Sequence, residues 1–428
     1  MLTRSRLRRQ APAGLAAFAV LGVMHLAVDG LTAMILPLQA VLAQRLTATS
    51  AQLGVLVAVS LTAATLLQPA AARLVLRYGE LRAVVTGALL ATAGYGLLPA
   101  AGSLEQGALA VMVGGAGSAL FHPAAGGLLA GMAQPGREAL PLALFSAVGT
   151  AGAAGVPIGV LLTAEALGAA AAVPAAAVLV LGAAVAALRL RASRSPHVQP
   201  ELVTPGELLC PAPQPGTSQR PAAVLAPVLA AALIALAGLT ANATAPVLLA
   251  QSVGPADPLL GVSVAAYSGA GAVGGVLLAL LVRRVALRLV VAPAVLLGTA
   301  AATAIPHVQP GAVPVVMVLV GAGLSGSLPL LVTAAKRNGE ASAAPAVARI
   351  LGLSTGLGSL SYAGVATAQQ AVGYEVALTV TVVAAGVAAA LLALRLPSGL
   401  AGPDTLRAAL SSCGSGSCAC QPPARMAQ

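Results

Sequence analysis

Few side chains in this sequence can do acid–base chemistry inside an apolar environment, and two of them are spaced to act together. His25 and Asp29 lie four residues apart within a long apolar run, so a helix places both on one face. A carboxylate can be neutralised by a proton, and imidazole titrates near physiological pH. The pair therefore predicts proton coupling or substrate contact, and the alternative is a structural hydrogen bond between two buried polar groups.

A second histidine, His122, is followed directly by Pro123. Pro123 has no amide hydrogen, so the carbonyl of Ala119 loses its helical partner and the helix is expected to kink. His122 is then a candidate for contact with a central cavity or with that carbonyl. The alternative is a hydrogen-bonded histidine at a proline kink with no further role.

Two further polar residues in apolar segments are candidates for a cavity. Arg349 is predicted either to extend to the membrane surface or to act on a substrate or in gating. Asn242, between Thr240 and Thr244, precedes Pro246 and is a candidate for the lining of the cavity. Hydrogen bonding between helices is the commoner role for such residues.

The end of the chain carries three of its four cysteines, Cys413, Cys418 and Cys420, among glycines and serines. Mobile thiolates suit Cu(I), Zn²⁺ or a thiophilic metalloid. The spacing matches no common zinc motif, and an unstructured tail is the alternative. These cysteines define a candidate metal site and a second substrate class, a thiophilic metal or metalloid ion.

Composition indicates the environment in which these residues act. The chain has 428 residues, of which 8% are charged and 58% hydrophobic, and its mean hydropathy is +0.95. Soluble domains carry roughly 25% charged residues, and disordered chains are poor in apolar ones. A soluble or disordered protein is therefore excluded, and a polytopic membrane protein remains.

A helix of about 20 apolar residues crosses the roughly 30 Å core of a bilayer. The apolar runs predict an all-α membrane protein with twelve transmembrane helices in two pseudo-symmetric six-helix bundles. The predicted spans lie near 14–38, 51–72, 83–102, 107–133, 139–163, 168–188, 222–250, 259–282, 289–306, 311–333, 345–368 and 376–394.

The charges give the expected orientation. Nearly all of the 22 basic residues fall on one side of the twelve-span arrangement, with Arg45 on the other side. Acidic residues such as Glu105 and Glu375 fall in the opposite loops. By the positive-inside rule, both termini and the central loop are expected in the cytoplasm and the chain in the inner (plasma) membrane. The net charge of +11 is then a topological signal, and no nucleic-acid partner is expected.

The two halves of the chain are similar in sequence. RYGELRAVV at 77–85 aligns with RRVALRLVV at 283–291, and the same offset places Gly115-Ala116-Gly117 on Gly321-Ala322-Gly323. This repeat predicts four regions. They are an N-terminal bundle (1–190), a cytoplasmic linker (191–220), a C-terminal bundle (221–396) and a flexible cytoplasmic tail (397–428).

Parallel six-helix repeats resemble the major facilitator superfamily of transporters. The loop between spans 2 and 3 of that family usually carries G-x-x-x-D-R-x-G-R. Arg77, Gly79 and Arg82 match this pattern, whereas its acidic residue is missing. The resemblance implies a gating loop at these residues, with Arg283 and Arg288 in the second half.

Two segments resemble the fosmidomycin-resistance branch of that superfamily. GAGSALFHPAAGGLLAG (115–131) is similar to its fourth span, and HLAVDGLTAMILP (25–37) is similar to its first. Members of that branch are generally proton-driven drug efflux proteins or relatives of unknown substrate. The resemblance therefore implies an antiporter, with His25, Asp29, His122 and Pro123 at the proton or substrate site.

These observations predict a secondary active transporter, most simply a proton-coupled exporter of a small molecule or drug that works by alternating access. We expect it to act as a monomer in the lipid bilayer, without a cofactor. No G-x-x-x-x-G-K-[ST] loop occurs, which disfavours ATP-driven transport. The alternatives are export of a thiophilic ion assisted by the tail, a membrane sensor and, third, a membrane-embedded enzyme, although no enzymatic activity is expected.

Overall fold

The computed structural model of the chain describes residues 4–132, 139–167, 221–331 and 344–396, together with the single residues 178, 182, 185 and 334. Regular structure in this part of the chain is helical. The α-helices are α1 (Arg4–Ala33), α2 (Ile35–Leu46), α3 (Ser50–Leu66), α4 (Gln68–Tyr78), α5 (Glu80–Leu97), α6 (Leu104–Met132), α7 (Ala139–Leu167), α8 (Pro221–Val253), α9 (Pro258–Leu281), α10 (Leu287–Ala304), α11 (Val313–Gly323), α12 (Ala344–Val372) and α13 (Tyr374–Leu394). Short 3₁₀ turns occupy Leu98–Ala100, Ile305–His307, Pro310–Ala312 and Ser325–Ser327.

Many of these helices are suited to a membrane. Among the described residues, nine are long and apolar enough to cross a bilayer, and the bent pair α3–α4 would make ten. Helix α12 has 29 residues but is not among them, because serine, threonine and glutamine reduce its hydropathy. The sixth span predicted at 168–188 and the linker at 191–220 lie outside the described residues, apart from three single positions.

The first two predicted spans are interrupted by bends. The span predicted near 14–38 divides at Met34, where α1 ends and α2 begins. Pro37 lies in the first turn of α2 and has no N–H to donate to a carbonyl of α1. The span predicted near 51–72 bends by 46° between α3 and α4, where Pro69 occupies the first turn. The apolar runs predict a continuous helix through each segment, and the structure has two shorter helices in each instead.

Helix packing repeats along the chain. In the first half α1 packs on α7, and α6 packs on both α3 and α5. In the second half α8 packs on α12, and α11 packs on both α9 and α10. Aligned glycines occupy equivalent contacts, because Gly115 faces Ser60 of α3 while Gly321 faces Tyr267 of α9. The sequence repeat is thus accompanied by a repeat in helix contacts.

The helices of the two halves meet at several places. Helix α3 packs on α12, and α7 packs on α9. The two contacts are equivalent, because in the repeat α3 corresponds to α9 and α12 corresponds to α7. In α2, the Gln39 amide donates to the carbonyl of Leu36 at 3.1 Å and to that of Ala243 in α8 at 2.9 Å. Because Gln39 is 4% exposed, this bond between the halves is shielded from water.

Close approach of α1 and α7 positions the candidate site. A Cβ at Gly30 would lie 2.7 Å from the Val156 Cβ, and one at Gly152 would overlap the Leu26 carbonyl. Only glycine leaves room for the two backbones at this crossing. The residues of α1 one turn before Gly30 are thereby brought against α7.

Candidate functional site

Helices α1 and α6 bring a carboxylate and two imidazoles together. Asp29 of α1 lies between His25, one turn earlier, and His122 of α6. Its Oδ2 is 3.0 Å from Nε2 of His25, and its Oδ1 is 3.0 Å from Nε2 of His122. The spacing of His25 and Asp29 indicates their shared face, whereas nothing local indicates that His122, 93 residues away, completes the cluster.

The second nitrogen of each ring contacts backbone. His25 Nδ1 is 2.9 Å from the carbonyl of Phe145 in α7, and His122 Nδ1 is 2.8 Å from the carbonyl of Ser118. A carbonyl oxygen only accepts hydrogen bonds, so each Nδ1 donates to its carbonyl when it carries a hydrogen. These bonds fix both ring orientations and direct both Nε2 atoms at Asp29.

Aromatic rings surround His25. The chain has 3 phenylalanines and no tryptophan, yet two of those phenylalanines flank this side chain. The Phe145 ring stacks on the imidazole with a centroid distance of 4.0 Å and an interplanar angle of 17°, and Phe121 lies at 5.7 Å. Reasoning from sequence did not select Phe145, although the scarcity of aromatic residues is a signal that could have done so.

The three polar side chains differ in exposure. His25 is 6% exposed, Asp29 25% and His122 31%. Helix α6 continues through Pro123, and His122 bonds to the carbonyl of Ser118. The expected contact with the Ala119 carbonyl is thus replaced by one with the preceding residue. The exposure of His122 and Asp29 gives the cluster an open side.

A glycine provides the space for this cluster. A Cβ at Gly149 of α7 would overlap His25 and crowd the carboxylate of Asp29. Because Gly149 is buried directly against these side chains, even a methyl group there would displace the cluster. The sequence alone does not indicate this role, because Gly149 is one of several glycines in the same span.

The hydrogens of the cluster can be counted. Nδ1 and Nε2 of His25 and of His122 make four nitrogen–oxygen contacts, and each contact needs one hydrogen. Two imidazoles and one carboxylate carry four such hydrogens only when the cluster has a net positive charge. Removing one proton makes it neutral. The arrangement can therefore store and release a proton. Ligand atoms of all three side chains lie within 4.8 Å of one another, the spacing of a metal site, but the hydrogen bonds already satisfy them.

The candidate gating residues lie at helix ends, away from the contacts of the cluster. Gly79 has a φ of +85° and ends α4, a conformation that favours glycine. Arg77 places its guanidinium 5.4 Å from the centroid of the Tyr78 ring. Arg82 lies in the first turn of α5, and Arg283 and Arg288 flank the start of α10; all three are exposed.

The remaining candidates fall elsewhere. Asn242 is 7% exposed, and its buried Oδ1 has no hydrogen-bond partner among the described residues. Thr244 accepts a bond from Gln369 of α12 at 2.8 Å. Arg349 lies in the second turn of α12. Its side chain, like Cys413, Cys418 and Cys420, lies outside the described residues.

Comparison with known protein families gives a match over most of the chain. The family model of the Major Facilitator Superfamily matches residues 18–360, which include the cluster, the candidate gating loop and Asn242. A search of curated proteins found no significant match.

Proposed function

The chain belongs to the major facilitator superfamily, and from this membership we propose that it exports a small molecule in exchange for protons by alternating access. The superfamily consists of membrane transporters, and the chain has several helices able to span a bilayer. It is thus a multi-pass membrane transporter rather than a member of an enzyme family.

The cluster of His25, Asp29 and His122 is the observation that carries the proposal of proton coupling. Ionisable groups inside a membrane are costly and are retained where they serve transport. Here a carboxylate accepts from two imidazoles at 3.0 Å, on the open side of three packed helices. Gain or loss of one proton changes the charge of this cluster by one, which alters the free energy of exposing it to either side of the membrane.

We further propose that the chain has twelve spans in two six-helix bundles, with both termini in the cytoplasm. The repeated helix contacts and the one-sided basic residues support this topology. The motifs around His25 and His122 favour the fosmidomycin-resistance branch and an inner-membrane location. Reporter fusions to the 191–220 linker and to the C-terminus test the topology, and periplasmic activity of either would contradict it.

A tolerance screen followed by a flux assay tests the exporter. We expect the chain to raise tolerance to at least one compound in an efflux-deficient host challenged with a drug panel that includes fosmidomycin. That compound is then followed in proteoliposomes with an imposed pH gradient. Asp29→Asn should abolish flux driven by the gradient, because the cluster loses its carboxylate charge.

The matched control is Asp257→Asn. The Asp257 side chain caps α9 by accepting from the Leu259 amide at 2.7 Å, and asparagine caps helices equally well. This variant should transport like the wild type. Gradient-driven flux that persists in Asp29→Asn would contradict coupling at the cluster.

The same screen examines the thiophilic-ion alternative. No described residue and no comparison supports metal export, so it remains a prediction from the cysteine tail. Truncation after Leu400 should lower tolerance to thiophilic metals if the tail captures them. Equal metal tolerance of the truncated and full-length chains would leave the small-molecule proposal alone.

A further inference from the structure

The two histidines of the cluster have different surroundings. His25 is held on three sides, by Asp29, by the Phe145 carbonyl at 2.9 Å and by the stacked Phe145 ring. His122 is 31% exposed, against 6% for His25. A proton entering from water therefore reaches His122 more readily.

The hydrogen bonds at Nδ1 are a second difference between the two histidines. His25 Nδ1 faces a carbonyl, so a neutral His25 that keeps this bond presents a bare Nε2 to a carboxylate oxygen. Two lone pairs would then face each other at 3.0 Å in a buried site. His25 thus keeps both of its bonds only when it is charged or when Asp29 supplies the hydrogen.

His122 has an additional partner. Its Nδ1 lies 2.8 Å from the Ser118 carbonyl and 3.3 Å from the Ser118 hydroxyl. A charged ring donates from Nδ1 to the carbonyl. A neutral ring can instead accept at Nδ1 from the hydroxyl while Nε2–H still donates to Asp29. His122 therefore has hydrogen-bond partners in both charge states.

We propose that His122 takes up and releases the coupled proton, and that the Ser118 hydroxyl is the positioning group that allows it; this rests on the proposed proton coupling. On release, the N–H bond at Nδ1 breaks, its electron pair stays on nitrogen and the proton passes to water on the exposed side. The Ser118 O–H turns toward the bare nitrogen. The charge of the cluster falls by one, and His25 keeps its place between α1 and α7.

The other titratable groups near His122 are few among the described residues. Asp29 contacts it, and the His25 ring lies 5.3 Å away. Tyr95 of α5 accepts from Ser60 of α3 at 3.0 Å. Glu80 faces α6 at Gly127, more than one turn beyond His122. Helix α4 carries Arg73 and Arg77, which are both exposed, and α7 carries Glu165 near its last residue. Asp29 is the charge that His122 contacts directly.

Nitrogen-15 NMR of labelled histidine tests the proposal on the full chain in nanodiscs. The chain has only 4 histidines, so single replacements assign the signals. In the wild type we expect His122 to change charge during a pH titration, with its neutral form protonated at Nε2, while His25 keeps its signals. Ser118→Ala removes a bond made only by the neutral ring, so the His122 profile should move by about one pH unit toward higher pH.

Ser118→Thr is the matched control, because it retains the hydroxyl, and it should restore the wild-type profile. The proposal is overturned if His25 titrates in place of His122, or if Ser118→Ala leaves the profile unchanged. Failure of the proposed function is a separate result: flux would be independent of the pH gradient while the NMR titration of His122 stays intact.

Discussion

At the scale of single residues, Asp29 is the centre of the candidate site because two helices direct imidazoles at it. Each ring is oriented by a carbonyl at its other nitrogen, Phe145 for His25 and Ser118 for His122. Each oxygen of the Asp29 carboxylate therefore lies 3.0 Å from the Nε2 atom of one histidine. Such fixed geometry makes the cluster sensitive to small changes in the space around it.

Gly149→Ala is a test of that sensitivity. The added methyl group would overlap His25, so we expect the imidazole to leave the Phe145 carbonyl and gradient-driven transport to fall at least tenfold. Overpacking of this kind costs roughly 1–3 kcal/mol, and a tenfold loss corresponds to about 1.4 kcal/mol. Flux of the compound found in the tolerance screen measures the effect.

The control for this change is on the same helix. A Cβ at Gly155 of α7 would meet no atom within 4 Å. Gly155→Ala should therefore transport normally, since it makes the same chemical change in open space. If both variants transport alike, the cluster does not depend on the space that Gly149 provides.

At the scale of elements, close contacts between helices depend on small residues. Helix α3 meets α12 at Gly54, where a Cβ would overlap Ala366. Helix α9 meets α7 at Gly261, where a Cβ would lie 3.0 Å from the Ile158 backbone. These contacts join the two halves, so a rocking motion of the proposed kind requires α3 and α12 to slide or separate. Bends at Met34 and Leu67 divide the first two spans into shorter segments.

Gly54→Val should disturb the contact between α3 and α12. The branched side chain has no space against Ala366, so the helices must separate, at a cost of roughly 1–3 kcal/mol. The expected result is a lower midpoint of thermal unfolding in detergent. A Cβ at Gly364 of α12 would meet no atom within 4 Å, so Gly364→Val should keep the wild-type midpoint. Equal midpoints for the two variants would show that Gly54 does not limit this contact.

At the scale of the whole molecule, ionisable and neutral polar groups are distributed unequally. Among the described side chains, the histidine–carboxylate cluster lies in the first half. The second half presents Asn242, Thr240 and Thr244 beside the carbonyl that Gln39 binds. Gln39 therefore connects the half with the proton-binding cluster to the half with neutral polar residues.

Gln39→Leu should weaken this connection. It removes the donor to Ala243 with little change in volume, and one hydrogen bond of about 1 kcal/mol corresponds to roughly a fivefold change in opening. We expect Ala243→Cys, in a background lacking the 4 native cysteines, to react about five times faster with a membrane-impermeant maleimide. Gln251→Leu, at an exposed position of the same helix, should leave labelling unchanged. An unchanged rate in Gln39→Leu would exclude a role in closure.

The sequence by itself indicated a membrane protein of the superfamily, most of its helices and the shared face of His25 and Asp29. These features are local: hydropathy marks a span, and four residues make about one helical turn. Pro37 and Pro69 accompany two interruptions that the apolar runs did not predict, and α6 remains one helix through Pro123.

The tertiary structure alone decided which distant groups meet. His25 reaches the carbonyl of Phe145 across 120 residues, Asp29 meets His122 across 93, and Gln39 meets Ala243 across 204. Each meeting depends on how closely whole helices approach, as Gly30 and Gly152 allow for α1 and α7. That approach is a sum over many small contacts between helices, which no local pattern of residues contains.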